Sequence, residues 1–393
     1  MTAPAPSGSR RFIRTGIGTV AIAVASAGIL GLAVVLPFLV SDFGFGPAIA
    51  GLVMPAVYIG CICTTIAGGR MADRWGGERI AALGLLVLAA GTSLACLAPD
   101  VRVYFLGALV AGMGYGIANP ATSLMVDPGP AGGRGLLFGI KQAGVTLGGV
   151  LAGWLLPVLS TRFDWRIALA LVAACQLATC IGMLAIPRAQ SRSRARHVVE
   201  VDTGYKLKPY PGSLYGAGMA AAQISVFGLL VVYLTQLGMS PINAGLVYGG
   251  ALAIALVARI VWGVVSDRKP ADRSVPLRWC AVLGMLGSLA LAAPFPALAL
   301  TAAVFIGAGA AAWNGAYLAS VISSAAASGQ GASIGKALLL INIGCVAGPM
   351  TASGVLALTH NWILLWLVMA AVQAGSLVAV NRATVVGVRV AVA

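Results

Sequence analysis

The sequence predicts an all-α integral membrane protein whose twelve transmembrane helices form two pseudo-symmetric bundles of six. Its 393 residues are 60% hydrophobic and 9% charged, whereas a soluble domain carries about 25% charged residues. Apolar runs of roughly 20 residues, the length that crosses a bilayer, recur along the whole chain. A short polar motif at 69–74 returns at 263–268, close to half the chain length later, which indicates two related halves.

Twelve apolar runs are the predicted spans. In the first half they lie at 15–40, 47–68, 80–98, 101–126, 135–160 and from 164 onward. In the second half they lie at 213–237, 241–265, 275–293, 297–323, 333–358 and from 361 onward. Between the halves, a stretch rich in Arg, Lys, Ser and Pro lacks apolar periodicity. We therefore predict an N-terminal six-helix bundle (1–187), a cytoplasmic linker (188–212) and a C-terminal six-helix bundle (213–393).

Landmarks inside the spans support the repeat. Span four contains a Pro at 120, which should kink it. Gly144 and Gly148 of span five have counterparts 200 residues later, at Gly344 and Gly348 of span eleven. An Asp-Trp pair at 164–165 opens span six, and an Asn-Trp pair at 361–362 opens span twelve in the same way.

The repeated polar motif lies after the second span of each half, and we call its two copies the hinges. The first hinge comprises Gly69, Asp73, Arg74 and Gly76, and the second comprises Gly263, Asp267 and Arg268. Two half-length repeats with such hinges resemble the major facilitator superfamily, whose loop signature is Gly-x-x-x-Asp-Arg-x-Gly-Arg-Arg. The first copy departs from it at residues 77 and 78, and the second fades after residue 268.

The resemblance implies two halves that rock around a site near the membrane midplane, with the hinges acting in gating. It also implies that spans one, four, seven and ten line the central cavity. We expect Asp73 near the N-terminus of span eleven and Asp267 near that of span five, because a carboxylate is stabilised there.

Basic residues are distributed unevenly, and their distribution predicts the topology. Of the 25 Lys and Arg, three lie in outer loops and three within spans, which leaves 19 in segments that are cytoplasmic if the N-terminus is inside. By the positive-inside rule, both termini, the linker and both hinges are cytoplasmic. The net charge of +15 is therefore explained by the basic residues that orient the chain in the membrane. No nucleic-acid partner is expected.

Two basic residues, Lys141 and Arg259, lie well inside predicted spans, where a charge costs about 2.5–3.5 kcal/mol. One interpretation is that each side chain snorkels to the cytoplasmic headgroups. The other is that they bind substrate, since monocarboxylate and oxalate porters of the superfamily also place an Arg four residues before the second hinge glycine, here Gly263. Because all ten acidic residues fall at loops or helix ends, a cavity with these two cations should prefer anions.

Uncharged polar and aromatic residues near mid-membrane complete the candidate substrate site. Helix packing is the simpler explanation for any single one of them, and as a set they could orient a substrate. They are Tyr115, Asn119, Gln142, Gln223, Trp313, Asn314 and Tyr317. The span-five stretch 139–145 is also similar to cyanate-permease-like and general organic-anion porters.

The sequence therefore predicts a secondary active transporter that moves a small, monocarboxylate-like organic anion across the cell inner membrane by alternating access. The alternatives are a multidrug/proton antiporter that exports hydrophobic compounds and a transport-dead membrane sensor on the same scaffold. An enzyme is not expected, and neither is a cofactor or a metal site. The expected partners are an anionic small molecule, a proton or counter-anion and the lipid bilayer, with the chain acting as a monomer.

Overall fold

The computed structural model describes residues 8–126, 134–185, 213–268, 274–317, 320 and 330–392. Spans one to six are formed by Gly8–Val34 with Leu36–Phe43, Pro47–Ala50 with Val53–Trp75, Gly77–Cys96, Val101–Ser123, Arg134–Arg162 and Trp165–Leu184. Spans seven to nine are Ser213–Gln236, Pro241–Arg268 and Val275–Ala292. Span ten comprises Pro296–Leu298, Ala299–Phe305, Ile306–Ala310 and a helical turn at 314–317, and spans eleven and twelve are Gln330–Thr359 and Trp362–Val392.

The predicted fold class is confirmed. Within the described ranges, twelve helices are long and apolar enough to cross a membrane, as judged by length and composition, and no strand occurs there. The linker predicted at 188–212 lies outside the described residues.

Acidic residues mark helix ends because they cap them. The carboxylate of Asp100 accepts hydrogen bonds from the backbone N–H groups of Arg102 (2.8 Å) and Val103 (3.0 Å) at the start of span four. Asp164 accepts one from the N–H of Arg166 (2.6 Å) at the start of span six. Each cap satisfies N–H groups that have no partner inside the helix.

The first hinge is helical, which differs from the predicted end of span two at residue 68. The helix continues to Trp75, so Gly69, Asp73 and Arg74 lie in its last turns. It ends where Gly76 adopts φ 95° and its N–H donates to the carbonyl of Ala72 (2.9 Å). Polar residues can extend a helix past the apolar run, and only glycine adopts this backbone conformation readily.

The first hinge also departs from the superfamily signature at Glu78, and the structure gives the reason. The Glu78 carboxylate forms an ion pair with Arg14 of span one. The acidic residue thus ties the start of span three to the N-terminal end of span one.

The described residues group into two compact units. Unit one holds residues from 1–44 and 56–190, and unit two holds residues from 45–55 and 191–393. Each unit packs its first helix against its fifth through close backbone contact. A Cβ on Gly148 would lie 3.0 Å from the carbonyl carbon of Ala23, and one on Gly348 would lie 2.6 Å from that of Ala221. Gly148 and Gly348, which were predicted as counterparts, therefore each allow the first and fifth helices of their unit to pack closely.

The start of span two packs within unit two. Pro47–Ala50 contacts spans seven and eleven. A Cβ on Gly51 would lie 3.3 Å from Leu229 and would clash with the hydroxyl of Ser353. Only glycine allows this approach without displacing its neighbours.

An indole hydrogen bond recurs at the start of the sixth span of each unit. In unit one, the Trp165 Nε1–H donates to the Asp42 carboxylate (2.7 Å). In unit two, the Trp362 Nε1–H donates to the side-chain carbonyl of Gln236 (2.8 Å). Arg166 adds an ion pair to Asp42 (3.4 Å), so the bond in unit one belongs to a charged cluster.

Candidate functional site

Lys141 lies in unit one with a side chain that is 1% exposed. Its ammonium donates to the side-chain carbonyl of Asn119 (2.5 Å), the backbone carbonyl of Asn119 (3.3 Å) and the hydroxyl of Ser123 (3.1 Å). All three acceptors are uncharged. Span five therefore directs its cation against span four rather than outward.

The Lys141 site joins two residues that the sequence analysis nominated separately. An ammonium has three donors, and here each has an acceptor. Within the described part of the chain, no carboxylate lies within ion-pair distance of Lys141. Its positive charge is hydrogen-bonded but, among these residues, not neutralised.

Span ten is interrupted in unit two. Ile306–Ala310 forms a π-helical segment in which the N–H of Ala311 donates to the carbonyl of Ile306 (2.9 Å), one residue further back than in an α-helix. The helical turn at 314–317 follows. Such segments leave backbone carbonyls without their usual partner inside the helix, and they are frequent at functional sites.

Two side chains of span eight bind carbonyls of this interrupted segment. Arg259 donates to the carbonyl of Ala311 from Nε (3.2 Å) and from Nη2 (3.0 Å). One turn later, the Trp262 indole N–H donates to the carbonyl of Ala308 (2.8 Å). The half-buried guanidinium of Arg259 is therefore held at the break in span ten.

A polar pair lies beside this break. The Trp313 indole N–H donates to the side-chain carbonyl oxygen of Gln223 on span seven (2.9 Å), and the Asn314 amide nitrogen is 3.5 Å from the same oxygen. Trp313 is fully buried, whereas Gln223 and Asn314 are half-buried. Tyr215 packs edge-on against Trp313 (5.9 Å between ring centroids) and stacks on Tyr317 (5.8 Å). The aromatic rings thus hold Trp313, the partner of Gln223, in place.

The remaining predicted residues are more scattered. Tyr115 is buried in span four, while Gln142 is exposed, although it follows the buried Lys141. Asp73 and Arg74 are exposed at the end of span two. Gly263 is half-buried within span eight, and the side chains of Asp267 and Arg268 lie outside the described residues.

Sequence reasoning missed three contributors to these sites. Ser123 and Trp262 hold polar groups in place, and the carbonyl of Ala311 binds Arg259. Ser123 lies four residues after Asn119, which places both on one helix face and could have indicated a pair. An alanine backbone carbonyl gives no sequence signal.

Comparison with known families places this geometry in context. Residues 18–349 match the family model described as Major Facilitator Superfamily.

Curated relatives share shorter segments with this chain. The chain is 33% identical over 128 residues to "Probable anion transporter 4, chloroplastic" of Oryza sativa subsp. japonica, covering 32% of this chain and 22% of that protein. It is 30% identical over 200 residues to puromycin resistance protein pur8 of Streptomyces alboniger, covering 49% of this chain and 37% of that one. The chain thus matches well under half the length of these two relatives.

Solved structures match over nearly the whole chain. A bacterial homolog of the human lysosomal transporter Spinster, in an inward-facing and occupied conformation, superposes with a TM-score of 0.79. The two are 17% identical, and the match covers 96% of this chain and 98% of that one. A nucleoside transporter gives a TM-score of 0.77 at 14% identity, covering 95% and 99%. At such identities the similarity establishes the fold alone.

Proposed function

The chain belongs to the Major Facilitator Superfamily, and from this membership we propose that it is a secondary transporter of a small organic anion. Its two six-helix halves would alternate access to a site near the membrane midplane. A monocarboxylate is the simplest substrate that fits the basic side chains.

The environment of Lys141 is the observation that most strongly supports an anionic substrate. Its ammonium is almost fully buried, yet its partners among the described residues are all neutral. A buried cation is stabilised further when an anion approaches it, because electrostatic attraction is stronger where water is excluded. The relative named a probable anion transporter is consistent with this preference.

Arg259 provides the second basic group. A guanidinium matches a carboxylate through two parallel hydrogen bonds, and Arg259 now uses two of its N–H groups on one carbonyl. A substrate carboxylate would exchange a neutral acceptor for an ionised one. Such charge-assisted hydrogen bonds are roughly twice as strong as neutral ones.

Uptake into reconstituted vesicles tests this proposal. Labelled carboxylates, cyanate and cationic dyes would be offered to the wild type, Arg259→Gln and Lys141→Gln. We expect saturable carboxylate uptake that Arg259→Gln weakens by about ten- to a hundredfold in apparent affinity. Lys141→Gln should weaken it less, if Lys141 contributes only its electric field. Unchanged affinity in both variants would contradict the anion site.

Export of hydrophobic drugs is a second candidate, and the 30% identity to a puromycin resistance protein favours it. Such an exporter would accept the cationic dyes and ignore the carboxylates. The same uptake panel therefore separates the two functions, and a transport-dead sensor would move neither.

We also propose an inner-membrane location with both termini cytoplasmic, in accordance with the charge asymmetry. A single cysteine introduced at Ser191 should react with an impermeant thiol reagent only from the cytoplasmic side. Labelling from the periplasm would overturn the orientation. A monomer remains the expected form, with a proton or a counter-anion as the coupled solute.

Gating by the two hinges remains part of the proposal. If Asp73 stabilises one state by facing a helix N-terminus, Asp73→Asn should shift the balance between the inward- and outward-open states. Accessibility of single cysteines in the cavity measures this balance, and an unchanged pattern together with unchanged transport would count against the latch.

A further inference from the structure

The amide pair Gln223 and Asn314 has an orientation that hydrogen-bond chemistry fixes. An indole N–H can only donate, so the Gln223 atom 2.9 Å from the Trp313 nitrogen must be its carbonyl oxygen. The NH₂ group of Gln223 therefore points away from Trp313. Asn314 approaches the same oxygen at 3.5 Å, and it does so with its NH₂ group, because two carbonyl oxygens would repel.

The outward edge of the pair thus carries one donor group and one acceptor. Within the described part of the chain, the Gln223 NH₂ and the Asn314 carbonyl oxygen have no hydrogen-bond partner, and neither atom is fully buried. A polar group near mid-membrane that met hydrocarbon would be costly. Residues 224–234 that follow on span seven are buried throughout, so protein rather than lipid surrounds this helix. The open edge should therefore face water or a ligand.

The pair also lies close to Arg259. Arg259 binds the carbonyl of Ala311, and Ala311 precedes Asn314 by only three residues, across the turn at 311–313, so their Cα atoms are at most about 11 Å apart. All of these residues belong to unit two. One small molecule can therefore reach the guanidinium with one end and the amide pair with the other.

From this geometry we infer that the substrate is a hydroxy acid. This inference rests on the proposed transport of a carboxylate, which would bind Arg259. The Gln223 NH₂ would donate to the substrate hydroxyl oxygen, and the Asn314 carbonyl would accept the hydroxyl hydrogen. A keto group can use only the first of these bonds, and an unsubstituted chain can use neither.

Three acids of equal chain length test the inference: lactate, pyruvate and propionate. Uptake into vesicles containing the wild-type protein should give the lowest KM for lactate, about tenfold below that for propionate, with pyruvate between them. A site built around a substrate hydroxyl discriminates in this way because its polar groups are otherwise left unpaired.

Span seven offers a matched pair of variants. Gln223→Leu and Gln236→Leu each remove a glutamine that accepts an indole hydrogen bond, from Trp313 and from Trp362 respectively. Only Gln223→Leu also removes a donor next to Arg259. It should therefore reduce the lactate preference to about threefold or less, whereas Gln236→Leu should keep the preference.

The outcomes separate this inference from the proposed function. Uptake of all three acids with equal KM, or equal loss of preference in both variants, would overturn the hydroxy-acid inference alone. No uptake of any carboxylate in the wild type would overturn the proposed function as well, and this inference with it.

Discussion

The two units share their helix packing but bind their polar groups through different partners. In unit one, the buried Lys141 is bound mainly by side chains, and the indole of Trp165 binds the carboxylate of Asp42. In unit two, Arg259 is bound by a backbone carbonyl, and the indole of Trp362 binds the neutral amide of Gln236. The repeat thus keeps the indole hydrogen bond at the start of its sixth span and changes its acceptor, whereas Lys141 and Arg259 lie on spans that are not counterparts.

This difference suggests that the two units have different roles in binding substrate. Side-chain partners can be changed by a single substitution, whereas the carbonyl of Ala311 is available because span ten departs from α-helical geometry. A carbonyl acceptor is neutral, so an anionic ligand can replace it with a gain in electrostatic attraction. The acceptors of Lys141 are neutral as well, but an anion would have to displace two side chains and a carbonyl there, so unit two is better suited to exchange its internal partner for substrate.

The largest expected effect concerns Arg259. Arg259→Lys should weaken carboxylate uptake by about ten- to a hundredfold, because an ammonium cannot reproduce the two parallel hydrogen bonds of the guanidinium. Initial rates in vesicles at varied substrate concentration give the apparent affinity. Arg162→Lys, at an exposed position, is the control and should change nothing. If Arg259→Lys takes up carboxylates with the affinity of the wild type, Arg259 does not bind them through two parallel hydrogen bonds. The proposed difference between the two units would then be contradicted.

In unit one, Asn119→Leu should lower the free energy of unfolding by about 1–3 kcal/mol, because the Lys141 ammonium loses an acceptor while it stays buried. Denaturant unfolding in micelles measures this. Adding Lys141→Met should recover part of the loss, since no unpaired charge then remains. An equal loss with and without Lys141 would mean that Asn119 stabilises the helices by another route.

At the end of span seven in unit two, Gln236→Leu should lower the free energy of unfolding by about 0.5–1.5 kcal/mol, the usual net contribution of a neutral hydrogen bond. The Trp362 indole then has no acceptor from Gln236. Because no charge is involved, the loss measured in micelles should be the same at low and high salt. A loss that disappears at high salt would contradict a neutral bond.

The smallest expected effect is that of Asp42→Asn, which gives unit one the amide found in unit two. The indole bond can persist, and only the ion pair with Arg166 is lost. Both side chains are about 40% exposed, so the cost should be about 0.2–1 kcal/mol. Salt screens exposed charges, and the difference from the wild type should vanish as ionic strength rises. A salt-independent loss would show that the amide fails to replace the carboxylate.

Much of the fold could be predicted from the sequence because the bilayer sets the length of each apolar run. The repeat was visible in glycine pairs such as Gly148 and Gly348, since each allows two backbones to meet. The hinge was less predictable. Residues that leave the apolar core can still form a helix, so the polar composition of 69–75 did not reveal that span two continues to Trp75.

The sequence predicted which residues form the candidate site, but it did not predict which of them contact one another. Lys141 and Arg259 were conspicuous because charges are rare inside spans. Their partners depended on contacts between helices, which the spacing along one helix does not encode. The π-helical segment at Ile306–Ala310 consists of small residues that fit a regular helix equally well, so the acceptor of Arg259 was not predictable.

The start of span two also bears on how the protein is synthesised. Gly51 packs against Ser353, which the ribosome adds about 300 residues later. At roughly 5–20 residues per second, this interval lasts about 15–60 s. During that time the start of span two is in the membrane, but Ser353, against which Gly51 packs, has not yet been made. Folding of the first unit can therefore be completed while residues 45–55 wait for span eleven to be made.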